Sequence, residues 1–200
     1  MSGADLLSFL ETVYSLKQFR RQGWIRAGVP ISDVETVAEH TFGVAILTLI
    51  LFPLENRLRK DLDQSELNFE LALNIAIAHD LAECKFQDWD TSLARLIGNE
   101  KFTELKQSIE EKAFLQIQQE LAQSVGMKVE MTSLLSKSPE ASFIQEIDKL
   151  DVILQAQMYI KRGLAATGVR RLLEDNLVTL QEPNSLSVKW FLNEIRGDLG

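Results

Sequence analysis

The hydrophobic residues of this chain recur at intervals of three and four positions, the spacing of one face of an α-helix. The first such stretch runs from Asp5 to about Gln22, and Gly23 is expected to end it. Strict alternation of apolar and polar residues, which is typical of strands, is almost absent, and glycine and proline number only 10 and 4. The pattern therefore predicts an all-α protein of about six to seven helices.

Capping residues give the expected starts of the later helices. The segments Thr36–Glu39 and Asp63–Glu66 each place a short polar side chain three residues before a glutamate, an arrangement that satisfies free amides at a helix N-terminus. Ser138-Pro139 predicts another start, and Gly163 and Gly168 are expected to close that helix. The remaining expectations are a loop over residues 86–92, a helix over 99–123 and a last helix over 185–196.

Length and charge limit the number of domains and the kinds of partner. The 200 residues contain no linker or shift in composition, which predicts a single domain over residues 1–200. The net charge of −8 argues against a nucleic-acid polymer as partner, because affinity for such a polymer comes from many cations. The most apolar run, residues 44–54, is about half as long as a membrane span and is expected to be a buried helix. No membrane partner is expected.

The single cysteine, Cys84, cannot form an intramolecular disulfide. Together with the lack of a recognisable signal peptide, this predicts a cytoplasmic protein in a reducing compartment. Cys84 itself is expected to be a small residue of the core or of its boundary.

The two histidines, His40 and His79, are the first candidates for chemistry. Asp80 follows His79 directly, and Glu83 lies one helical turn beyond it. A carboxylate in an apolar helix needs a partner, because an isolated buried charge costs several kcal/mol. The doublet alone leaves two interpretations open, a capping or salt-bridged pair and part of a metal site.

Further motifs occur in a fixed order along the chain, and they extend over about residues 10–160. They are Leu16-Lys17, Arg21 to Trp24 (RQGW), Glu35 to His40 (ETVAEH), His79 to Glu83 (HDLAE), Asp88, Glu110 to Ala113 (EEKA) and Asp148 to Tyr159 (DKLDVILQAQMY). This set resembles the HD superfamily of metal-dependent phosphohydrolases, and its 5′-deoxynucleotidase branch in particular. The last string is the most specific part of the resemblance.

The resemblance implies an HD-domain helical fold, with the motifs in its core and further helices over residues 161–200. The implied metal ligands are His40, His79, Asp80 and Asp148. Glu83 and Asp88 would manage protons and water. Two imidazoles and two carboxylates suit Mn, Co, Fe, Ni or Zn, with Mg also open, and the chain has no further histidine for a second ion. One divalent ion per chain is expected.

The resemblance also implies contacts to a small nucleotide substrate. Arg21 or Arg20, between which the register is open, would bind the phosphate. Trp24 would form an apolar wall beside the sugar, which disfavours a 2′-hydroxyl. The implied activity is hydrolysis of (deoxy)nucleoside 5′-monophosphates, in a homodimer. The sequence shows no obvious set of residues that read the base, so tolerance among the four deoxynucleotides is expected.

Two positions depart from the resemblance, and two other functions stay open. Gln87 stands where a glycine usually precedes the loop aspartate, and Asp151 stands where glutamate is common. The other functions are an HD hydrolase of a different phosphate ester and a catalytically silent protein that binds a metal or nucleotide.

Overall fold

The computed structural model describes residues 3–89, 93–125, 137–164 and 166–195, and within these ranges the chain forms nine α-helices and no strand. The helices are α1 (Gly3–Tyr14), α2 (Gln22–Arg26), α3 (Val37–Asp61), α4 (Phe69–Ala78), α5 (Leu93–Ile97), α6 (Asn99–Val125), α7 (Pro139–Lys161), α8 (Thr167–Thr179) and α9 (Leu186–Ile195). Short 3₁₀ helices span Ser15–Lys17 and Leu81–Lys85. The all-α prediction is confirmed. The predicted count of helices was too low because it lacked α2, α5 and α8.

Two of the predicted helix starts are confirmed. The N–H of Glu39 donates to Thr36 Oγ1 (3.1 Å), and the N–H of Thr36 donates to the Glu39 carboxylate (2.6 Å), so both amides at the start of α3 are satisfied. Ser138 caps α7 by accepting from the N–H of Ala141 (3.0 Å). These caps set the starting points of the two helices that carry His40 and Asp148.

The predicted start at Asp63–Glu66 is wrong. The α4 helix begins at Phe69, and Asn68 is its cap because the Asn68 side chain accepts from the N–H of Leu71 (3.0 Å). Asp63 has a φ of 54° and belongs to the turn that follows α3. The left-handed backbone at Asp63 is incompatible with a residue that opens a helix.

The first helix ends earlier than predicted, at Tyr14 rather than about Gln22. Beyond it, the N–H of Arg21 donates to the Glu35 carbonyl (3.1 Å) and the N–H of Val37 donates to the Phe19 carbonyl (2.9 Å). These bonds between distant segments replace the bonds that a continuing helix would make. Gly23, expected to break the first helix, lies inside α2.

Gly168 does not close α7 either. The α7 helix ends at Lys161, and Gly163, with a φ of +80°, follows it. Gly168 lies in α8, where a Cβ would stand 2.5 Å from the Ala27 Cα, so glycine permits close contact between α8 and the end of α2. Residues 90–92 of the predicted loop and Arg196 of the predicted last helix lie outside the described residues.

The α3 helix packs against α4, α7 and α9. The helix has 25 residues and contains an 18-residue window with a mean hydropathy of 1.8, so it is long and apolar enough to cross a membrane by length and composition alone. It nevertheless buries Glu55, whose carboxylate accepts from the N–H (2.7 Å) and hydroxyl (2.8 Å) of Ser187 on α9. A buried carboxylate satisfied by a neighbouring helix is typical of an interior helix in a folded domain.

The core consists of two groups of buried hydrophobic residues. The larger group joins α2, α3, α4, α7, α8 and α9, and the smaller joins Leu16, Val37, Ala82, Cys84, Ala113, Phe114 and Ile117. Cys84 is buried with a free thiol, as predicted. On α3, His40 stands between Val37 of the smaller group and Val44 of the larger, and His79 stands likewise between Ala76 and Ala82. Single-domain organisation over residues 1–200 stays a prediction.

Candidate metal centre

His40 lies one turn inside α3 and is completely buried. Its Nε2 atom is 3.0 Å from Asp148 Oδ1, and its Nδ1 atom is 2.7 Å from Asp151 Oδ2. Because a carboxylate accepts, Nδ1 carries the proton of the second contact. The imidazole is therefore held between two carboxylates of α7, with Nε2 directed toward Asp148.

His79 and Asp80 lie where α4 ends. His79 Nδ1 donates to the Ala76 carbonyl (2.8 Å), which leaves Nε2 free to act as a ligand atom. Asp80 leaves helical geometry (φ −102°, ψ 10°), and this turn lets two neighbouring side chains meet at one point. His79 Nε2 is 3.3 Å from Asp80 Oδ2 and 3.3 Å from His40 Nε2.

The spacing of these atoms fits a single ion. The ligand atoms of His40, His79 and Asp80 all lie within 4.8 Å of one another, and Asp148 reaches the same His40 nitrogen. An ion with bonds of about 2.1 Å separates neighbouring ligand atoms by roughly 3.0–3.4 Å. The contacts here range from 3.0 to 3.7 Å. The structure thus brings together all four residues predicted to be ligands.

The charges around this cluster favour a cation. Burial and Arg21 lower the pKa of His40, but hydrogen bonds to Asp148 and Asp151 raise it to about 9. Burial raises the pKa of Asp80, yet His79 and Arg21 hold it well below its usual range. Asp148, which stabilises a proton at Nε2, is suited to stabilise a divalent ion at the same nitrogen, while Asp151 holds the proton on Nδ1.

Asp151 holds His40 in place by accepting a hydrogen bond at Nδ1, on the side of the ring away from the cluster. Sequence analysis did not predict this role. A Cβ at residue 43 would stand 2.1 Å from Asp151 Oδ1, so Gly43 leaves the space that Asp151 needs to reach His40. Residue 43 follows His40 by three positions and Asp151 follows Asp148 by three, so each lies on the same helix face as its candidate ligand. This spacing could have identified Gly43 and Asp151 from the sequence as neighbours of the candidate ligands.

Glu35, His40 and Asp151 form a second group of potential ligand atoms within 4.8 Å. Glu35 Oε1 accepts from the Trp24 indole N–H (2.7 Å), and Asp151 accepts from His40. Hydrogen bonds already occupy these atoms, so we interpret the group as a support for His40.

Glu83 and Asp88, the predicted proton carriers, both lie near Asp80. Glu83 is 4% exposed, and its Oε2 has no hydrogen-bond partner among the described residues. Burial, Asp80 and Asp88 raise the pKa of Glu83 to about 10. Asp88 accepts from the backbone N–H of Gln22. Its neighbour Gln87 has a φ of 68°, in the left-handed region where glycine is the usual residue, so the loop keeps this backbone without a glycine.

The structure places the two candidate arginines in different surroundings. Arg21 Nη1 is 3.2 Å from Asp80 Oδ2. Arg20 instead donates to the Val34 carbonyl and lies 3.8 Å from Glu39, so it does not contact the cluster. Only Arg21 of the pair is in position to contact a phosphate at this centre.

The prediction that Trp24 forms a wall beside the sugar is wrong. Trp24 is 2% exposed, and its ring packs edge-on against Tyr159 with centroids 5.1 Å apart. Its indole N–H is used by Glu35. A ring buried in this way cannot line a substrate site, because burial of its apolar surface in the core is strongly favourable.

A cavity of about 500 Å³ opens beside His79 and Asp148, between α4, α6 and α7. Its volume is in the range of small-molecule sites. The α6 residues that border it follow helical spacing, namely Gln107, Glu110, Glu111 and Phe114. Sequence analysis noted the pair Glu110-Glu111 only as part of a motif and did not predict a cavity.

Comparison with protein families and characterised relatives gives consistent matches. A family model described as HD domain matches residues 13–177. A mouse protein named 5′-deoxynucleotidase HDDC2 is 32% identical over 163 residues, which cover 79% of this chain and 71% of that protein. A Schizosaccharomyces pombe protein named 5′-deoxynucleotidase hdd1 is 27% identical over 166 residues, which cover 79% of this chain and 74% of that protein.

Solved structures agree on the fold. A conserved hypothetical protein from Pyrococcus furiosus is 29% identical with a TM-score of 0.67, covering 96% of this chain and 98% of that chain. An HD-domain phosphohydrolase from Listeria innocua has a TM-score of 0.63 at 17% identity, covering 97% and 89% of the two chains. The second match shows similarity of fold alone.

The Asp151→Asn variant is expected to bind metal more weakly. Asparagine has no charge to polarise His40, and loss of such a supporting partner weakens metal binding about 10- to 100-fold. Titration with Zn²⁺ or Mn²⁺ against a competing chelator measures the change. Asp61→Asn, at the exposed end of α3, is the control and keeps the wild-type Kd. Equal Kd values for Asp151→Asn and wild type would contradict the supporting role.

Proposed function

The chain belongs to the HD-domain family and is a metal-dependent phosphohydrolase, and we propose that it hydrolyses deoxynucleoside 5′-monophosphates to a nucleoside and phosphate. The observation that carries this proposal is the cluster of two histidines and two aspartates at the end of a cavity. The names of the relatives at about 30% identity support the substrate class.

The proposed ligands of the single divalent ion are His40, His79, Asp80 and Asp148. When bound, the ion supplies polarisation of a phosphoryl oxygen and a lowered pKa for water. The donor set of two imidazoles and two carboxylates suits a first-row transition metal. Reconstitution of metal-depleted protein with different divalent ions identifies the one that supports activity.

Each neighbouring side chain has a separate task in this proposal. The planar guanidinium of Arg21, held by Asp80, presents N–H groups to the oxygens of the phosphate. Without an ion, the raised pKa of Glu83 keeps this carboxyl protonated, whereas the charge of a bound divalent ion would lower that pKa. In the metal-loaded site, the Glu83 oxygen that lacks a partner would then orient the attacking water and take its proton. As the bond from phosphorus to the 5′-oxygen breaks, that oxygen takes up a proton. We assign the donation of this proton to Asp88.

The buried carboxylate of Glu83 disfavours a catalytically silent protein. A buried polar atom without a partner costs about 1–3 kcal/mol, and a purely structural metal site gains nothing from it. Phosphate release from a panel of other phosphate esters tests whether one of them is the substrate instead.

We further propose a cytoplasmic homodimer that associates through α3. Phe42 and Ile50 on this helix are 68% and 64% exposed, and Leu49 beside them is also exposed. These residues recur at the spacing of one helix face, and a cluster of exposed apolar residues is typical of an interface. The cytoplasmic location is supported by the buried free thiol of Cys84.

Chelation is expected to abolish phosphate release, and one divalent ion per chain is expected to restore it. Metal-depleted protein is reconstituted with Mn²⁺, Co²⁺, Zn²⁺ or Mg²⁺ and assayed with deoxy- and ribonucleoside 5′-monophosphates and other phosphate esters. Deoxynucleotides are expected to give a higher kcat/KM than ribonucleotides, as the names of the relatives indicate. Asp80→Ala should lose the ion, and Asp61→Ala should retain it. Two ions per chain, or hydrolysis only of another ester, would refute the proposal.

The Glu83→Gln variant is expected to keep its ion and its KM while kcat falls about 10²- to 10⁴-fold, the usual loss when a general base is removed. Elemental analysis and steady-state kinetics measure both properties. Glu70→Gln, exposed in the first turn of α4, serves as the control with unchanged kcat. Near-normal turnover in Glu83→Gln would show that another group takes the proton from the attacking water.

The Ile50→Lys variant is expected to be monomeric, because a charge at the centre of an apolar interface must be desolvated on association. Sedimentation velocity measures the state, and circular dichroism checks that the fold is retained. Val178→Lys, on α8 and 71% exposed, is a matched control that should stay dimeric. A monomeric wild-type protein rules the interface out.

A further inference from the structure

We propose that Tyr159 on α7 is a positioning residue for Arg21, because its hydroxyl holds the backbone segment from which this arginine reaches the metal centre. The inference rests on the proposed function, in which Arg21 binds the phosphate, and adds a residue that contacts neither substrate nor ion. Tyr159 is the last residue of the most specific sequence motif and is completely buried, yet no step of the proposed reaction uses it.

Glu35 connects Tyr159 to Arg21. The Tyr159 hydroxyl accepts from the N–H of Glu35 (2.9 Å), and the Glu35 carbonyl accepts from the N–H of Arg21 (3.1 Å). Both contacts are made by the main chain of Glu35, so they fix the course of the backbone at this residue. Two consecutive hydrogen bonds therefore link α7 to the backbone of Arg21.

Trp24 completes the network around the same segment. Its indole N–H donates to Glu35 Oε1 (2.7 Å), its ring packs edge-on against Tyr159, and its backbone N–H donates to the Arg21 carbonyl (3.2 Å). The main-chain N–H and C=O of Arg21 are thus both bonded to residues that contact Tyr159. The buried position of Trp24, which keeps it out of a substrate site, gives it a place in this network.

Arg21 needs a backbone anchor because its side-chain partner has a second task. Arg21 Nη1 lies 3.2 Å from Asp80 Oδ2. Asp80 is also a proposed metal ligand, and the guanidinium is repelled by a divalent ion bound there. The planar fork of Arg21 must then be presented to the phosphate, and a long side chain loses less freedom on binding when the backbone that carries it is already fixed.

The α7 helix ties this anchor to the metal centre. Tyr159 follows Asp148 by 11 residues, which is about three helical turns, so the two side chains lie on the same face of α7. One rigid helix therefore supplies a proposed metal ligand and also holds the Arg21 backbone. It thus sets the distance between the ion and the arginine that share one phosphate.

The test compares Tyr159→Phe with the wild-type protein. Phenylalanine keeps the ring against Trp24 and removes only the hydroxyl, so the N–H of Glu35 loses its partner. Calorimetric titration of the Co²⁺-loaded protein with inorganic phosphate, a product of the proposed reaction, should give a Kd about 3- to 10-fold higher in the variant. The Kd for Co²⁺, measured against a competing chelator, should not change. Tyr14→Phe, at the other tyrosine, which is 58% exposed on α1, is the control and keeps both wild-type values.

A double-mutant cycle separates the positioning of Arg21 from a general loosening of the fold. In an Arg21→Ala background, Tyr159→Phe should have no further effect on the phosphate Kd, because the side chain that it positions is gone. Equal phosphate Kd values in Tyr159→Phe and wild type, or the same fold-change with and without Arg21, would overturn the inference.

The outcomes also separate this inference from the proposed function. If phosphate binding depends on Arg21 and Tyr159 as expected but no deoxynucleotide is hydrolysed, the positioning role stands and the proposed substrate class falls. If Arg21→Ala binds phosphate as tightly as wild type, the role of Tyr159 is refuted while deoxynucleotide hydrolysis can still stand. Failure of the Co²⁺-loaded wild-type protein both to bind phosphate and to hydrolyse deoxynucleotides would overturn both.

Discussion

The position of one buried imidazole determines the rest of the centre. His40 is closed off from solvent on α3 and contacts Asp148 and Asp151, which lie one turn apart on α7. A buried polar ring must satisfy both nitrogens, and here the neighbouring helix satisfies them. When α3 packs on α7, the same contacts therefore assemble the ligand cluster. Gly43 leaves the space that this close packing requires.

Much of the centre could be predicted because its residue types are rare and its order is specific. With two histidines in the chain, the cluster had few alternative members, and the cap at Thr36 fixed the helix that carries the first. Trp24 could not be placed in this way. Its neighbourhood in sequence is polar, but Glu35 and Tyr159, from distant segments, bury it. Likewise, the cavity exists only where three helices separated in sequence meet.

The helix boundaries that sequence analysis missed share a physical cause, which is competition between local and distant hydrogen bonds. Residues 15–21 have a helical pattern, yet their amides and carbonyls partly pair with residues 35–37. The Asp63–Glu66 segment has capping chemistry but follows directly on α3, and its first residue adopts left-handed backbone to turn the chain. Asn68, which lacks a glutamate three residues later, became the cap instead.

The contact between Gly168 and Ala27 links the candidate centre to a helix that carries none of its ligands. Ala27 follows α2 directly, and Arg21 directly precedes its first residue. The α8 helix thus limits how far Arg21, the arginine proposed to bind the phosphate, can move away from Asp80. Substitutions on the face of α8 that contacts Ala27 can therefore change the proposed phosphate affinity while the proposed metal ligands stay the same.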